Sequence, residues 1–275
     1  MSYMENVINP IYLSKEKIEE LKHEFNSAKP CKHVVLPGFL EEDFATSLYV
    51  NFPKMDVLKV KRKSINENKN EDYHFERFHP DFSKIKAALA HPDFIKNVEY
   101  ITGLENLVTT NDALGAGVHQ GANGSYVDIH IDSNYNAKEN LWRRLNLLVY
   151  LNKNWKPEYG GDLELWDQKM TKCEKTVPCD WNRAVIFLTD ETTPHGYSKI
   201  TVPEGETRKS FYTYYSNTPD PDFKYVDSHF IARPNDSLFK RTVTSIKEPL
   251  KLSIKRTLKS LGVKSLDFQD KNKKK

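Results

Sequence analysis

Apolar residues in the first third of the chain recur at the three- and four-residue spacing of amphipathic helices. The spacing predicts helices over residues 14–27, 41–51 and 81–103. Ser14 is a good N-cap for the first helix, and the His-Pro-Asp sequence at 91–93 is expected to break the third. The N-terminal part of the chain is therefore predicted to be helical.

Residues 56–78 separate these helices and differ from them in character. The segment is highly charged and has no clear apolar period in its middle. It is predicted to be a long exposed loop, which is either a lid over a site or a solvated connection.

From about residue 107 short apolar runs alternate with turn residues, which is typical of strands in a sandwich or barrel. The predicted strands lie in LVTTNDALGAGVHQ, SYVDIHID, RRLNLLVYLN, GGDLELWD, EKTVPCD, RAVIFLT, GYSKI and RKSFYTYYSN. The fold class is thus mainly β with flanking α. We expect N-terminal helices and a lid loop over 1–105, a β-core over 106–235 and a C-terminal tail over 236–275.

The tail repeats apolar residues at steps of three or four among many lysines. These residues are Val243, Ile246, Leu250, Ile254, Leu258 and Leu261. The pattern predicts a basic amphipathic helix with a kink near Pro249. Such a helix either docks on the β-core or lies on an anionic membrane surface or a partner.

Charge is distributed unevenly along the chain. Residues 236–275 hold 12 Lys/Arg and 4 Asp/Glu, whereas the rest holds 29 against 34 and is mildly acidic. Because no basic stripe interleaved with aromatic residues runs through the main body, we expect no nucleic-acid partner.

The cysteines and the lack of long apolar runs indicate the cellular compartment of the protein. Cys31, Cys173 and Cys179 form no paired framework. The sequence contains neither a secretory apolar region near its start nor a run long enough to span a bilayer. These features predict a reducing, cytoplasmic setting. They leave the oligomeric state open.

The candidate chemistry begins at His130 and Asp132, two residues apart on a predicted strand. Alternate strand residues share a face, so both side chains can bind one ion. A later histidine, His195, would complete two histidines and one carboxylate, which suit Fe(II), Mn(II) or Zn(II) and leave coordination positions open. Taken alone, the pair is better explained as ordinary surface residues of a strand.

Two further predicted strands offer polar groups for a ligand. Arg208 and Ser210 share one face, where an arginine fork and a hydroxyl can hold a carboxylate. Asn146 and Tyr150 share the mixed face of their strand, which suits a cavity wall. Arg208 could instead form a surface ion pair, and Tyr150 could be an ordinary buried tyrosine.

In their order along the chain, these pieces resemble the prolyl 4-hydroxylase-like branch of the 2-oxoglutarate and Fe(II)-dependent oxygenases. The matching pieces are HID at 130–132, RRLNLLVYLNKNW, YGGDLELWD, NRAVIFLTDETTPHGYS and TRKSFYTYYSN. The resemblance covers residues from about 110 to 217. It implies a double-stranded β-helix (jelly-roll) core packed against outer helices.

The resemblance also implies roles for single residues. His130, Asp132 and His195 would bind Fe(II), and Arg208, Ser210 and Tyr150 would hold the far carboxylate of 2-oxoglutarate. Two further candidates for the cofactor pocket are Asn146 and His119. His119 stands where the family often has a tyrosine, so this chain departs from the pattern there.

The activity implied is that of a dioxygenase. Such an enzyme uses Fe(II), 2-oxoglutarate and O2, with ascorbate as the expected reductant, and releases succinate and CO2. Its substrate would be a prolyl peptide or a small molecule, selected by loops such as 56–78 and 133–142. The alternatives are a metal-dependent hydrolase or cupin-type enzyme, and a non-catalytic jelly-roll binding module.

Overall fold

The N-terminal helices form where the apolar spacing predicts them. A computed structural model describes residues 3–110, 115–221 and 223–260. Its first four helices are α1 (Lys15–Ser27), α2 (Glu42–Val50), α3 (Pro80–Leu89) and α4 (Pro92–Thr102). The Ser14 side chain caps α1 by accepting a hydrogen bond from the Lys17 amide. His91 caps α4 and Pro92 occupies its first turn, which explains the predicted break.

Thirteen strands form one antiparallel sheet within the described residues. They are β1 (His33–Pro37), β2 (Val60–Lys63), β3 (Glu67–Asp72), β4 (Ala116–Gly121), β5 (Tyr126–Ile131), β6 (Tyr135–Asn136), β7 (Leu141–Leu151), β8 (Leu163–Trp166), β9 (Cys173–Val177), β10 (Trp181–Leu188), β11 (His195–Tyr197), β12 (Arg208–Asn217) and β13 (His229–Phe230). The main path runs β1-β10-β7-β12-β4-β3-β5-β11-β8-β9. The sheet curls into a nearly closed jelly roll, as the sequence predicts.

The two faces of β7 show where the core and the cavity lie. One face packs with the helices in the larger apolar core and carries Leu145, Leu147, Val149 and Leu151. The other face carries Leu148 and Tyr150, which belong to a second apolar cluster inside the jelly roll. The predicted difference between the two faces of β7 is therefore confirmed, since they pack in separate clusters.

The prediction of a long loop over residues 56–78 is wrong. This segment contains β2 and β3, which pair as a hairpin, and β3 also pairs with β4 and β5. Glu71 and Asp72 are buried there, each in an ion pair. A strand that satisfies its charges in this way has no apolar alternation, so apolar periodicity could not reveal it.

The N-terminal segment contributes to the sheet as well as to the helices. Besides β2 and β3, the sequence HVVLP forms β1, which pairs with β10 and was not predicted. The boundary near residue 105 stays a prediction, but three strands from before it enter the same sheet.

The C-terminal helix α5 (Leu238–Ser260) forms as predicted, with Pro249 inside it. It contacts the rest of the protein through polar residues, since Thr244 and Glu248 are buried while Ile246 and Leu250 are exposed. The helix thus docks on the β-core, which is one of the two expected arrangements, but it does so through its polar rather than its apolar residues. Of that face, the Leu258 side chain and Leu261 lie outside the described residues.

Candidate active site

Three predicted metal ligands converge at one end of the jelly-roll interior. His130 belongs to β5, Asp132 follows that strand, and His195 begins β11 directly opposite His130. His130 Nε2 lies 3.3 Å from Asp132 Oδ1, and His195 Nε2 lies 3.8 Å from Asp132 Oδ2. One ligand atom from each of the three residues lies within 4.8 Å of the others. This spacing allows all three to bind one ion.

Backbone carbonyl groups orient both imidazole rings. His130 Nδ1 lies 3.0 Å from the Asp128 carbonyl oxygen, and His195 Nδ1 lies 3.0 Å from that of Thr193. Since a carbonyl only accepts, each Nδ1 donates and each Nε2 keeps its lone pair. Both lone pairs are therefore available to a metal.

The charges of the cluster suit a cation. Burial, together with the nearby His130, lowers the pKa of His195 to about 4, so its imidazole is neutral near pH 7. Burial alone raises the pKa of Asp132, but the close contact with His130 and the nearby Arg143 charge hold it well below its usual range. A neutral imidazole and an ionised carboxylate are the forms that bind metal.

Tyr214 on β12 supports the carboxylate of this cluster and was missed in the sequence. Its hydroxyl donates a 3.0 Å hydrogen bond to Asp132 Oδ2. The Arg143 guanidinium lies over its ring, 4.8 Å from the centroid. The signal that could have revealed Tyr214 is its alternation with Arg208 and Ser210 along one strand.

We expect the Tyr214→Phe variant to bind Fe(II) roughly 10- to 100-fold more weakly, the usual effect of removing a partner of a metal ligand. Metal affinity can be measured by anaerobic titration. Tyr215→Phe is the matched control, because the Tyr215 hydroxyl donates to the Leu89 carbonyl on the other face of the sheet. Equal metal affinity in the two variants would contradict a supporting role for Tyr214.

Arg208 is a buried cation that lacks an acidic partner. It is 5% exposed, and its Nε donates a 2.7 Å hydrogen bond to the Gly161 carbonyl. None of the ion pairs among residues 3–110, 115–221 and 223–260 involves Arg208. A buried guanidinium without a carboxylate is costly unless a ligand supplies one. A glycine is needed at 161, since φ is +83° and a Cβ would lie 2.6 Å from Ile200 Cγ2.

Three further polar side chains face the same interior. The Tyr150 hydroxyl, Ser210 Oγ and Asn146 Oδ1 are buried and make no hydrogen bond of standard geometry within the described part of the chain. Ser210 stands opposite Tyr150 in the β12–β7 register. Together with Arg208 they offer a carboxylate both a positive charge and hydroxyl donors, so the residues present fit a dicarboxylate cofactor.

His119 lies beside a different group of charges. Its Nε2 lies 3.0 Å from Glu71 Oε2, and its ring is 4.5 Å from that of Tyr212. Burial and the charge of Lys69 lower its pKa to about 4. The neutral ring therefore donates from Nε2 to Glu71 rather than to the pocket beside Arg208.

Glu71 itself is the centre of a network that the sequence did not reveal. Its carboxylate, 3% exposed, contacts Arg62, Lys69 and Tyr73 as well as His119. Burial alone raises the pKa of Glu71, but the charge of Lys69 and the hydrogen bond with His119 hold it well below the usual range. The network fastens the polar β2–β3 hairpin to the inner wall of the jelly roll.

We expect Glu71→Gln to destabilise the protein by about 3 kcal/mol near neutral pH, because it leaves buried cations unpaired. A carboxyl with a depressed folded-state pKa stabilises the protein above its unfolded pKa, and this stabilisation is lost as pH falls through the folded value. The difference in free energy of unfolding between the natural protein and Glu71→Gln should thus narrow below about pH 4.3. Urea unfolding at a series of pH values measures this difference. Glu206→Gln, at an exposed site, should change little, and a similar loss there would contradict the assignment.

Comparisons with known proteins agree with this geometry. Residues 116–216 match the family described as the 2OG-Fe(II) oxygenase superfamily. A comparison with curated proteins finds no match. The structure is similar to a Trichoplax adhaerens prolyl hydroxylase in complex with a hypoxia inducible factor peptide fragment, with a TM-score of 0.54 and 18% identity over 74% of this chain and 94% of that one.

Two other solved structures have the same fold. The viral collagen prolyl hydroxylase of Paramecium Bursaria Chlorella virus-1, in a 2OG complex, gives a TM-score of 0.50 and 15% identity over 70% of this chain and 99% of that one. The α-ketoglutarate-dependent epimerase SnoN of nogalamycin biosynthesis gives a TM-score of 0.51 and 14% identity over 82% of this chain and 89% of that one.

Fold and site together define an oxygenase that depends on Fe(II) and 2-oxoglutarate. The family match over residues 116–216 and the prolyl hydroxylase-like fold support an oxidoreductase of this kind. The resemblance found in the sequence is confirmed at this level. The hydrolase, cupin-type and non-catalytic alternatives are correspondingly disfavoured.

Proposed function

We propose that this enzyme hydroxylates an unactivated C–H bond of a prolyl peptide or a small molecule. The observation that carries the proposal is the pairing of two half-sites in one interior. One is the His130, Asp132 and His195 cluster, and the other is the buried Arg208, which forms no ion pair in the described part of the chain, together with the buried Tyr150 and Ser210 hydroxyl groups. Bound Fe(II), with 2-oxoglutarate and O2, would supply the oxidising power and give succinate and CO2 as co-products.

The protein's own residues would hold and orient the reactants. His130, Asp132 and His195 are the proposed Fe(II) ligands. Arg208, with Ser210 and Tyr150, is the proposed partner of the far carboxylate of 2-oxoglutarate, and Asn146 is a further donor in that pocket. His119 is proposed to position Glu71 and the β2–β3 hairpin. Apolar side chains around this pocket, among them Leu148, Leu165 and Phe187, keep water out.

The β2–β3 hairpin is the proposed substrate-facing wall. Burial and the nearby His130 are the main causes of the lowered pKa of His195, and the charge of Lys69 on β3 adds to them. Polar strands beside a metal can recognise amide or carboxylate groups of a substrate. One neighbouring structure holds a peptide, which is why prolyl peptides are the first substrates to test.

The proposal is tested by succinate formation with panels of prolyl peptides, free amino acids and other metabolites. We expect one class to raise turnover above the rate without substrate, and mass spectrometry to find one added oxygen atom. If no class raises turnover while Fe(II) and 2-oxoglutarate both bind, the substrate proposal fails and the cofactor assignment stands. Omitting ascorbate tests its proposed role as a supporting reductant.

The cellular location of the protein is a separate question from its activity. No helix in the described part of the chain is long and apolar enough to cross a bilayer. Cys31, Cys173 and Cys179 are free thiols. A cytoplasmic location remains a prediction.

A further inference from the structure

Helix α5 docks on the protein through its polar face. Lys240 Nζ lies 2.7 Å from the buried Asp128 carboxylate, and Thr244 Oγ1 accepts a 3.0 Å hydrogen bond from Asn66. Further along, Glu248 Oε2 accepts a 3.2 Å hydrogen bond from the Phe230 amide. These contacts fix which side of the helix faces solvent.

The side that faces solvent is apolar. We call its five residues the apolar stripe: Phe239, Val243, Ile246, Leu250 and Ile254. Their steps of three and four place them on one face. Phe239 is 71% exposed, Ile246 63% and Leu250 59%. An ordinary surface helix buries such a face and exposes its polar residues, so the arrangement here is inverted.

The charges near the apolar stripe are of one sign. Lys247 is exposed directly beside Ile246, whereas Arg241 lies on the other side of the helix, where it lines a groove with Thr244 and the buried Glu248. The remaining sequence, 255–275, adds eight Lys/Arg and two Asp. The exposed surface of the helix is therefore apolar and cationic.

This combination decides between the partners such a face could have. A second copy of the chain would bring cations against cations. A nucleic acid would meet apolar side chains where phosphates need positive charge. An anionic lipid surface offers both an apolar layer and negative charge.

We propose that the apolar stripe of α5 binds the surface of an anionic lipid bilayer, with Lys247 paired to lipid headgroups. The helix would lie in the plane of the interface. Since α5 packs against β13, whose Phe230 ring is 5.7 Å from the His130 ring, binding would hold the metal end of the jelly roll beside the membrane.

The test is co-sedimentation of the full chain with vesicles of phosphatidylcholine alone or mixed with phosphatidylserine. We expect binding to the mixed vesicles, weakened by high salt. The triple variant Phe239→Ser, Ile246→Ser, Leu250→Ser should bind at least about tenfold more weakly, because its apolar contact area is removed. Lys247→Glu should weaken the preference for phosphatidylserine.

The matched control replaces three exposed apolar residues elsewhere, Ile11→Ser, Val50→Ser and Val57→Ser, and should bind lipid like the natural protein. Absence of binding to the mixed vesicles, or equal binding by both triple variants, would overturn the proposal. So would a dimer, in ultracentrifugation without lipid, that only the stripe variant loses. The assay needs neither Fe(II) nor 2-oxoglutarate, so its failure is distinct from failure of the proposed catalytic function.

Discussion

The His130→Ala variant is expected to bind Fe(II) at least about a hundredfold more weakly than the natural protein, since loss of an outer partner alone costs about 10- to 100-fold. The remaining Asp132 and His195 cannot supply the third ligand, and no other group of three such side chains lies close together in the described residues. Anaerobic titration with 2-oxoglutarate present gives the readout, because the cofactor bound to Fe(II) has a visible charge-transfer band. The band should be lost in His130→Ala.

His229 supplies the matched control for this variant. It lies on β13 beside β5, and its Nδ1 also contacts a backbone carbonyl two residues earlier, at 2.9 Å. It is not part of the metal cluster. His229→Ala should keep the band. A band of natural strength in His130→Ala would show that iron binds elsewhere.

Arg208→Ala is expected to weaken 2-oxoglutarate binding by about 10²–10³-fold, because truncating one partner of a buried charge pair costs ~2–5 kcal/mol. Fe(II) affinity should stay unchanged, since Arg208 belongs to the other half-site. Arg208→Lys should recover part of the affinity, because it keeps the charge but loses the planar fork. Titrating 2-oxoglutarate into the Fe(II)-loaded variants measures both cofactor affinities. Anaerobic titration with Fe(II) measures the metal affinity.

The control for Arg208 is Arg183, whose guanidinium pairs with Asp180 at 2.8 Å near the surface. Arg183→Ala should leave the cofactor affinity as it is. If Arg208→Ala did the same, another cation would have to hold the carboxylate, and the assignment of this half-site would be wrong.

Sequence patterns were sufficient for the parts of the fold that bury apolar residues on one face. Helix α1 and the two faces of β7 follow directly from periods of 3.6 and 2. The hairpin β2–β3 does not, because its stability depends on ion pairs such as Arg62 with Glu71 between residues nine apart. Partners of this kind are known only once the fold is known.

The residues of the site likewise include some that the sequence could predict and some that it could not. His130, Asp132 and Arg208 stand out as residue types at a strand spacing that suits their chemistry. Tyr214 and Glu71 act through other side chains, and the alternation of Tyr214 with Arg208 and Ser210 is the one local signal that marks either of them. For α5 the spacing of apolar residues predicts the helix, but it does not show which face of the helix packs against the protein. That depends on Asp128, more than a hundred residues away.

Strand β12 links the two half-sites. Its alternate residues Arg208, Ser210, Tyr212 and Tyr214 run from the unpaired guanidinium to the hydroxyl that holds Asp132. Because both groups project from the same strand, this one rigid segment fixes where the cofactor pocket lies relative to the metal. A one-residue insertion or deletion within it would turn the downstream side chains to the opposite face. In related sequences, insertions and deletions should therefore occur in loops rather than in this strand, even where the strand accepts single substitutions.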